Sequence, residues 1–198
     1  YVSYNLAESS LATNQIDELD RILKKDDIAY PEELEYLREL RQADLLSATD
    51  QPVKAFVSYK IAERQQTLDT HPYSVNSYCS ILYNQKSFEK AAECYGSLAE
   101  MIDEPAKLGM VYFRQAMSKL HFSENPADLI GEFTRIEDAF PGTEAGFRAA
   151  VKKTDLRFLT RHDYSKTALR YYNALAERSI YRPVSEESFF KEALLHHF

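Results

Sequence analysis

Apolar residues recur every three or four positions along most of the chain, the period of helices that bury one face. Residues 87–101, SFEKAAECYGSLAEM, show it plainly: Phe88, Ala91, Ala92, Tyr95, Leu98 and Met101 share one helical face. The same triplet returns elsewhere. Ala91, Tyr95 and Leu98 have counterparts thirty-six residues earlier in Ala55, Tyr59 and Ala62, and a further thirty-six earlier in Leu19 and Leu23. Thirty-eight residues later stand Leu129, Phe133 and Ile136, and another thirty-eight later Thr167, Tyr171 and Ala174. A proline follows the second anchor by eight residues at Pro31 and Pro141.

Each of these segments is preceded by another helical pattern, over residues 3–13, 32–48, 73–84, 106–122 and 144–160. The breaks carry residues that start helices. Asp50 is expected to N-cap the segment opening at Pro52, and Ser87 and Asp163 the third and fifth second helices. Asn125, Pro126 and Asp128 resemble a capping box. The pattern therefore predicts an all-α fold in a single domain, 1–198, with hairpins at about 1–31, 32–69, 72–105, 106–142 and 144–181. One hairpin of short helices cannot bury its apolar stripe, whereas stacked neighbours cover each other. The tail PVSEESFFKEALLHHF supplies a cover for the last pair over 185–197. Pro183 ends the preceding segment, Ser185 caps the helix, and Phe190, Ala193, Leu194 and His197 form the stripe, flanked by Phe189 and Phe198. The other reading of this tail is a helix that docks a partner.

Composition narrows the function. The net charge of −7 argues against nucleic acid and against an anionic lipid surface as partner. Five glycines and seven prolines are too few for a sheet of tight hairpins. No apolar run reaches the length of a bilayer span, so no direct membrane insertion is expected. The chain starts at Tyr1 without a signal pattern, which fits an excised domain or a processed chain. Cytoplasm and bacterial periplasm both stay open as locations. Cys79 and Cys94, each amid apolar neighbours on a predicted helix, read as small buried thiols rather than a disulfide.

Catalytic chemistry finds little support. His71, His121, His162, His196 and His197 share no metal-ligand spacing, and there is no Gly-rich phosphate loop or nucleophile elbow. The acidic runs lack calcium-loop spacing. The expectation is a protein without catalytic residues, metal or cofactor.

With these residues in view, the chain resembles the tetratricopeptide repeat family, whose unit is a helical hairpin of about 34 residues. Ala7, Ala43 and Cys79 match the small residue of the family's first helix, twelve positions before Leu19, Ala55 and Ala91; Met117 and Asp155 depart from it. The longer steps here imply extra loop residues or another helical-hairpin solenoid. Gly96, inside a second helix, is a further departure and costs about 1 kcal/mol of helix propensity. The resemblance implies a right-handed α-α superhelix whose first helices line a concave, peptide-binding face. By register that face holds Arg41 and Asp44, then Asn76, Ser80, Tyr83 and Asn84, then Arg114, Gln115, Ser118 and His121. The family's two-carboxylate clamp for chaperone tails is absent, because its positions hold Leu40, Asp44, Ser77, Val111 and Gln115. The expected function is a non-catalytic module that binds a protein or peptide partner. The alternatives are a scaffold that forms homo-oligomers through its terminal helices, or the helical interaction domain of a larger envelope or multi-domain protein.

Overall fold

A computed structural model gives the fold and describes residues 2–24, 35–158 and 165–197. Among them every regular element is a helix. Pro31, His162, Asp163, Phe198 and the side chain of His197 lie outside the described residues. The chain divides into two compact units, Tyr1–Lys86 and Ser87–Phe198.

The first unit contains α1 (Val2–Ala12), α2 (Ile16–Leu23), α3 (Glu35–Ala48), α4 (Pro52–Arg64) and α5 (Pro72–Asn84). Consecutive helices pack on each other, and α3 also packs on α5. Ala7, Leu11, Leu19, Ile22 and Leu23 make one apolar cluster between α1 and α2. The second unit contains α6 (Phe88–Ala99), α7 (Pro105–Leu120), a 3-10 turn (Pro126–Leu129), α8 (Ile130–Ala139), α9 (Glu144–Arg157), α10 (Lys166–Arg178) and α11 (Arg182–His197). Here again neighbours in sequence are neighbours in space, with α7 on α9 and α9 on α11 besides. Its main core gathers Phe113, Ala116, Leu129, Phe133, Ile136, Ala145, Ala149 and Leu156. The two helices of the expected hairpin 72–105 belong to different units.

The turns repeat one construction. Asn14, Asp50 and Lys86, thirty-six residues apart, all have positive φ, at 56°, 57° and 62°. Each sits two residues beyond a helix end and is followed by Gln15, Gln51 or Ser87 as the first residue of the next helix's N-terminal cap. After the first two helices the next amide closes a wide loop, from Gln15 N to Ser10 O at 2.7 Å and from Gln51 N to Leu46 O at 2.9 Å. These are left-handed C-terminal caps made without glycine. Asp50 is thus the left-handed residue of a turn rather than the expected N-cap, and neither Gln51 nor Ser87 makes a side-chain cap bond. Side-chain caps occur in the second unit, where Asn125 accepts from Ala127 N, Thr143 from Gly146 N and Ser165 from Ala168 N.

The repeated triplets are buried in the first four segments: Leu19 and Leu23; Ala55, Tyr59 and Ala62; Ala91, Tyr95 and Leu98; Leu129, Phe133 and Ile136. The fifth is displaced by one. Ala168, Tyr172 and Ala176 are buried, whereas Tyr171 is 45% exposed and Thr167 and Ala174 face solvent. The inward i, i+4 pair is Ala168 and Tyr172, and the Tyr172 hydroxyl donates to Asp155 Oδ1 at 2.8 Å. Ala7, Ala43 and Cys79 are fully buried as expected, and in the fourth segment Ala116 takes the place assigned to Met117.

Helix α11 corrects the sequence reading most. It begins at Arg182, takes Pro183 into its first turn, where a missing N–H is harmless, and runs through Ser185. Ser185 Oγ donates to Ala176 O at 2.9 Å instead of capping. Its buried face carries Val184, Ser188 and Leu195, while Phe189, Phe190 (67% exposed) and Leu194 point to solvent. Both cysteines are disulfide-bonded, so the expectation of buried thiols was incorrect. Sequence spacing carries no information on sulfur geometry.

Candidate functional site

Helix α3 buries Leu37, Leu40, Arg41, Ala43 and Asp44, a stripe that admits two charges. Arg41 is 2% exposed and Asp44 is fully buried. The guanidinium uses its donors in four directions. Nε donates to Glu8 Oε1 on α1 and Nη1 to Asp44 Oδ2. Nη1 also donates to Ser74 Oγ at 3.0 Å, and Nη2 meets His71 Nδ1 at 3.2 Å. Asp44 receives Tyr59 OH on Oδ1 at 2.7 Å and Ser74 Oγ on Oδ2 at 2.9 Å.

Both carboxylate oxygens of Asp44 therefore accept, which is the arrangement for an ionised group. Burial pushes its pKa up, against the opposite pull of Arg41, Tyr59 and Ser74. Tyr59 is driven upward by burial and by the Asp44 charge, so it stays a donor. For His71, burial and then the Arg41 charge lower the pKa, with Glu8 opposing. Arginine has only donors, so His71 Nδ1 must be the acceptor and the ring neutral. The network joins α1, α3, α4 and α5, and each of its groups is committed to another. It holds the first unit together; Arg41 and Asp44, expected to face a partner, are structural. The sequence did contain a signal: Leu37, Arg41 and Asp44 fall at i, i+4 and i+7, on the same face as Leu40.

The remaining predicted residues divide between the units. On α5, Asn76, Ser80 and Tyr83 are half-buried and Asn84 is exposed. Ser80 Oγ donates to Asn76 O at 2.9 Å. On α7, Arg114 is half-buried, and His121 is exposed with its ring stacked on Phe88 at 3.9 Å and 10°. Ser118, expected on the open face, is instead fully buried and donates to Arg114 O at 2.9 Å. Gln115 is half-buried, its Nε2 donating to Ala92 O at 3.2 Å. A Cβ at residue 96 would lie 2.8 Å from that Nε2, so Gly96 leaves room for the Gln115 amide.

Sequence reasoning missed a groove between α7 and α8. It has a volume of about 310 Å³ and is lined by Tyr112, Gln115 and Lys119 of α7, Glu132, Arg135, Ile136 and Ala139 of α8, and Phe140. Phe140 lies against the backbone at Gly109, where a Cβ would approach its Cγ to 2.8 Å, and its ring sits 6.1 Å from that of Tyr112. Gly146 meets the same residue from α9: a Cβ there would fall 2.3 Å from Phe140 O. The two glycines thus fix the aromatic end of the groove. At the other end Lys119 Nζ holds both Glu132 oxygens, at 3.0 and 3.1 Å.

A second charged cluster fastens α11. Asp155 of α9 accepts from Tyr172 OH at 2.8 Å and pairs with Lys152 and Lys191, and Glu187 pairs with the same two lysines. Burial raises the pKa of Glu187, but Lys191 and Lys152 outweigh it and hold the carboxyl below its usual value. Among the described residues no group of three or more His, Cys, Asp or Glu is arranged to hold a metal ion, and no helix is long and apolar enough to cross a membrane. Comparison with protein-family models, with curated proteins and with solved structures finds no match to this chain.

Proposed function

We propose that the chain is a non-catalytic interaction module, a tetratricopeptide-like right-handed superhelix that binds a peptide or partner protein along its first-helix face. One observation carries the reading: the same left-handed turn recurs at Asn14, Asp50 and Lys86, in step with the same buried triplets. Recurrence of both backbone and burial at one period supports stacked hairpins, and stacked hairpins offer an extended surface in place of a cleft. On this reading the contact residues are Asn76, Tyr83 and Asn84 in the first unit and, separately, Arg114 and His121 in the second, with hydrogen-bonding amides and aromatic area suited to an extended peptide. Arg41 and Ser118 serve the scaffold. The oxidised state of both cysteines favours an oxidising compartment, the periplasm among the locations left open.

The test is affinity capture with wild-type chain beside an Asn76→Ala, Arg114→Ala variant, with thermal melts of both. A protein held by the wild type and lost by an equally stable variant supports the face. Equal capture by both removes it.

The exposed Phe189, Phe190 and Leu194 favour a second reading, self-association through α11. Sedimentation of wild type against Phe189→Ser, Phe190→Ser separates the two: a monomer in both eliminates the scaffold reading.

A further inference from the structure

We infer that the groove between α7 and α8 binds an acidic peptide segment through an apolar side chain flanked by a carboxylate. The inference rests on the interaction-module reading and adds a site and a partner chemistry to it.

Three features converge. The first is shape. About 310 Å³ is at the small end of the range for ligand pockets, enough for one or two side chains of a segment. The second is a rigid apolar wall. Tyr112 is 38% exposed and Phe140 half-buried, and Phe140 cannot retreat because the α7 backbone at Gly109 lies behind it. Ile136 and Ala139 extend the wall along α8. An aromatic wall held in place before binding loses little side-chain entropy when a ligand arrives.

The third feature is charge. The chain as a whole is acidic, yet the groove is locally cationic. Lys119 and Glu132 satisfy each other, which leaves Arg135, exposed one turn further along α8, with no ion pair among the described residues. The lining thus carries two cations and one carboxylate, and the surplus cation lies beside apolar surface. A guanidinium next to an aromatic wall fits a carboxylate that accompanies a Phe, Tyr, Leu or Ile side chain. A basic segment would meet Arg135 and Lys119 with like charge, and nucleic acid would meet a chain of net charge −7.

The experiment is selection of a random displayed-peptide library on the immobilised full chain. The selected peptides are then synthesised and titrated against wild type, Arg135→Glu, Tyr112→Ala, Arg114→Ala and, as the control, Arg170→Glu. The inference requires enrichment of sequences with an acidic residue near an aromatic or branched aliphatic one. It also requires about tenfold or greater weakening by Arg135→Glu, a similar loss with Tyr112→Ala, and little change with Arg170→Glu, an equal charge reversal at an exposed cation of α10 outside the groove. Circular dichroism confirms that each variant folds; Tyr112, Arg135 and Arg170 are exposed and Arg114 is half-buried. Peptides lost with Arg114→Ala but indifferent to Arg135→Glu would overturn the inference and leave the module reading standing. Enrichment of basic peptides would overturn it too. No enrichment on any form of the chain would remove both.

Discussion

Replacing Arg41 with alanine tests the largest departure of the structure from the sequence. Read as a partner-facing residue, Arg41 is dispensable for folding. Read from the structure, it is the hub of a buried network, and its removal strips Asp44 of its counter-charge inside the first unit. Tyr59 and Ser74 would still donate to Asp44, but no cation would remain beside it, and Glu8, Ser74 and His71 would each lose a donor. Breaking a buried pair from one side costs about 3–5 kcal/mol, chiefly the price of an uncompensated charge. Domains of this kind are stable by about 5–15 kcal/mol, so at least about a fifth of that reserve would go. Urea unfolding followed by far-UV circular dichroism measures it, with the midpoint shifted at unchanged slope. The companion variant Arg41→Met, Asp44→Leu removes both charges and should recover part of the loss, because apolar replacement of a whole pair is often nearly neutral. A loss below about 1 kcal/mol for Arg41→Ala would show that water reaches Asp44, and would refute the buried-network account.

Two further outcomes follow from the geometry. Gly109→Ala should lower the melting temperature although alanine favours helix by about 1 kcal/mol, since its Cβ would press on the Phe140 ring, whereas Gly131→Ala, with nothing within 4 Å, should raise stability by about that amount; thermal scans of the pair check the sign of each. His71 has its folded pKa below the ordinary 6.5, so the unfolded chain binds the proton more readily and stability should fall as pH drops through 6.5 toward the folded value. His71→Gln, which keeps an acceptor for Arg41 but does not titrate, should flatten that part of the stability–pH curve.

The sequence made the helices legible because apolar side chains at i, i+3 and i+4 report a face directly. Residues 72–84, 88–99 and 105–120 came within a residue or two of the observed ends. The errors arose where periodicity is ambiguous. In KTALRYYNALAE two adjacent tyrosines each complete a helical stripe, so hydrophobicity does not choose between them; it is Tyr172 that turns inward, where its hydroxyl meets Asp155. In SFFKEALLHHF the most apolar stripe is the exposed one, because the buried face of α11 is built from Val184, Ser188 and Leu195 with Lys191 pairing to Asp155. A face whose polar groups are satisfied by ion pairs looks solvated in a one-dimensional pattern. Arg41 and Asp44 were misplaced for the same reason. The α7–α8 groove was illegible because it depends on the close approach of Phe140 to Gly109 and Gly146, from residues thirty-one positions before and six after it.

The same device occurs within each unit and gives a graded test of burial. In each, a tyrosine on one helix donates to an aspartate on the helix before it: Tyr59 to Asp44 at 2.7 Å, Tyr172 to Asp155 at 2.8 Å. The bonds are alike in geometry, but their settings differ. Asp44 is fully buried, and Tyr59 is the donor on its Oδ1; loss of that hydroxyl leaves a charged oxygen without it, worth about 1.5–3 kcal/mol. Asp155 is half-buried, and Lys152 and Lys191 stay on its other oxygen while water can replace the phenol, so the loss should be about 0.5–1.5 kcal/mol. Tyr59→Phe should therefore destabilise more than Tyr172→Phe under the same urea titration. Equal losses would mean that bond geometry, not desolvation, sets the strength of these contacts. The reverse order would place the essential carboxylate at Asp155, where α11 is fastened to α9, and would make that helix the keystone of its unit.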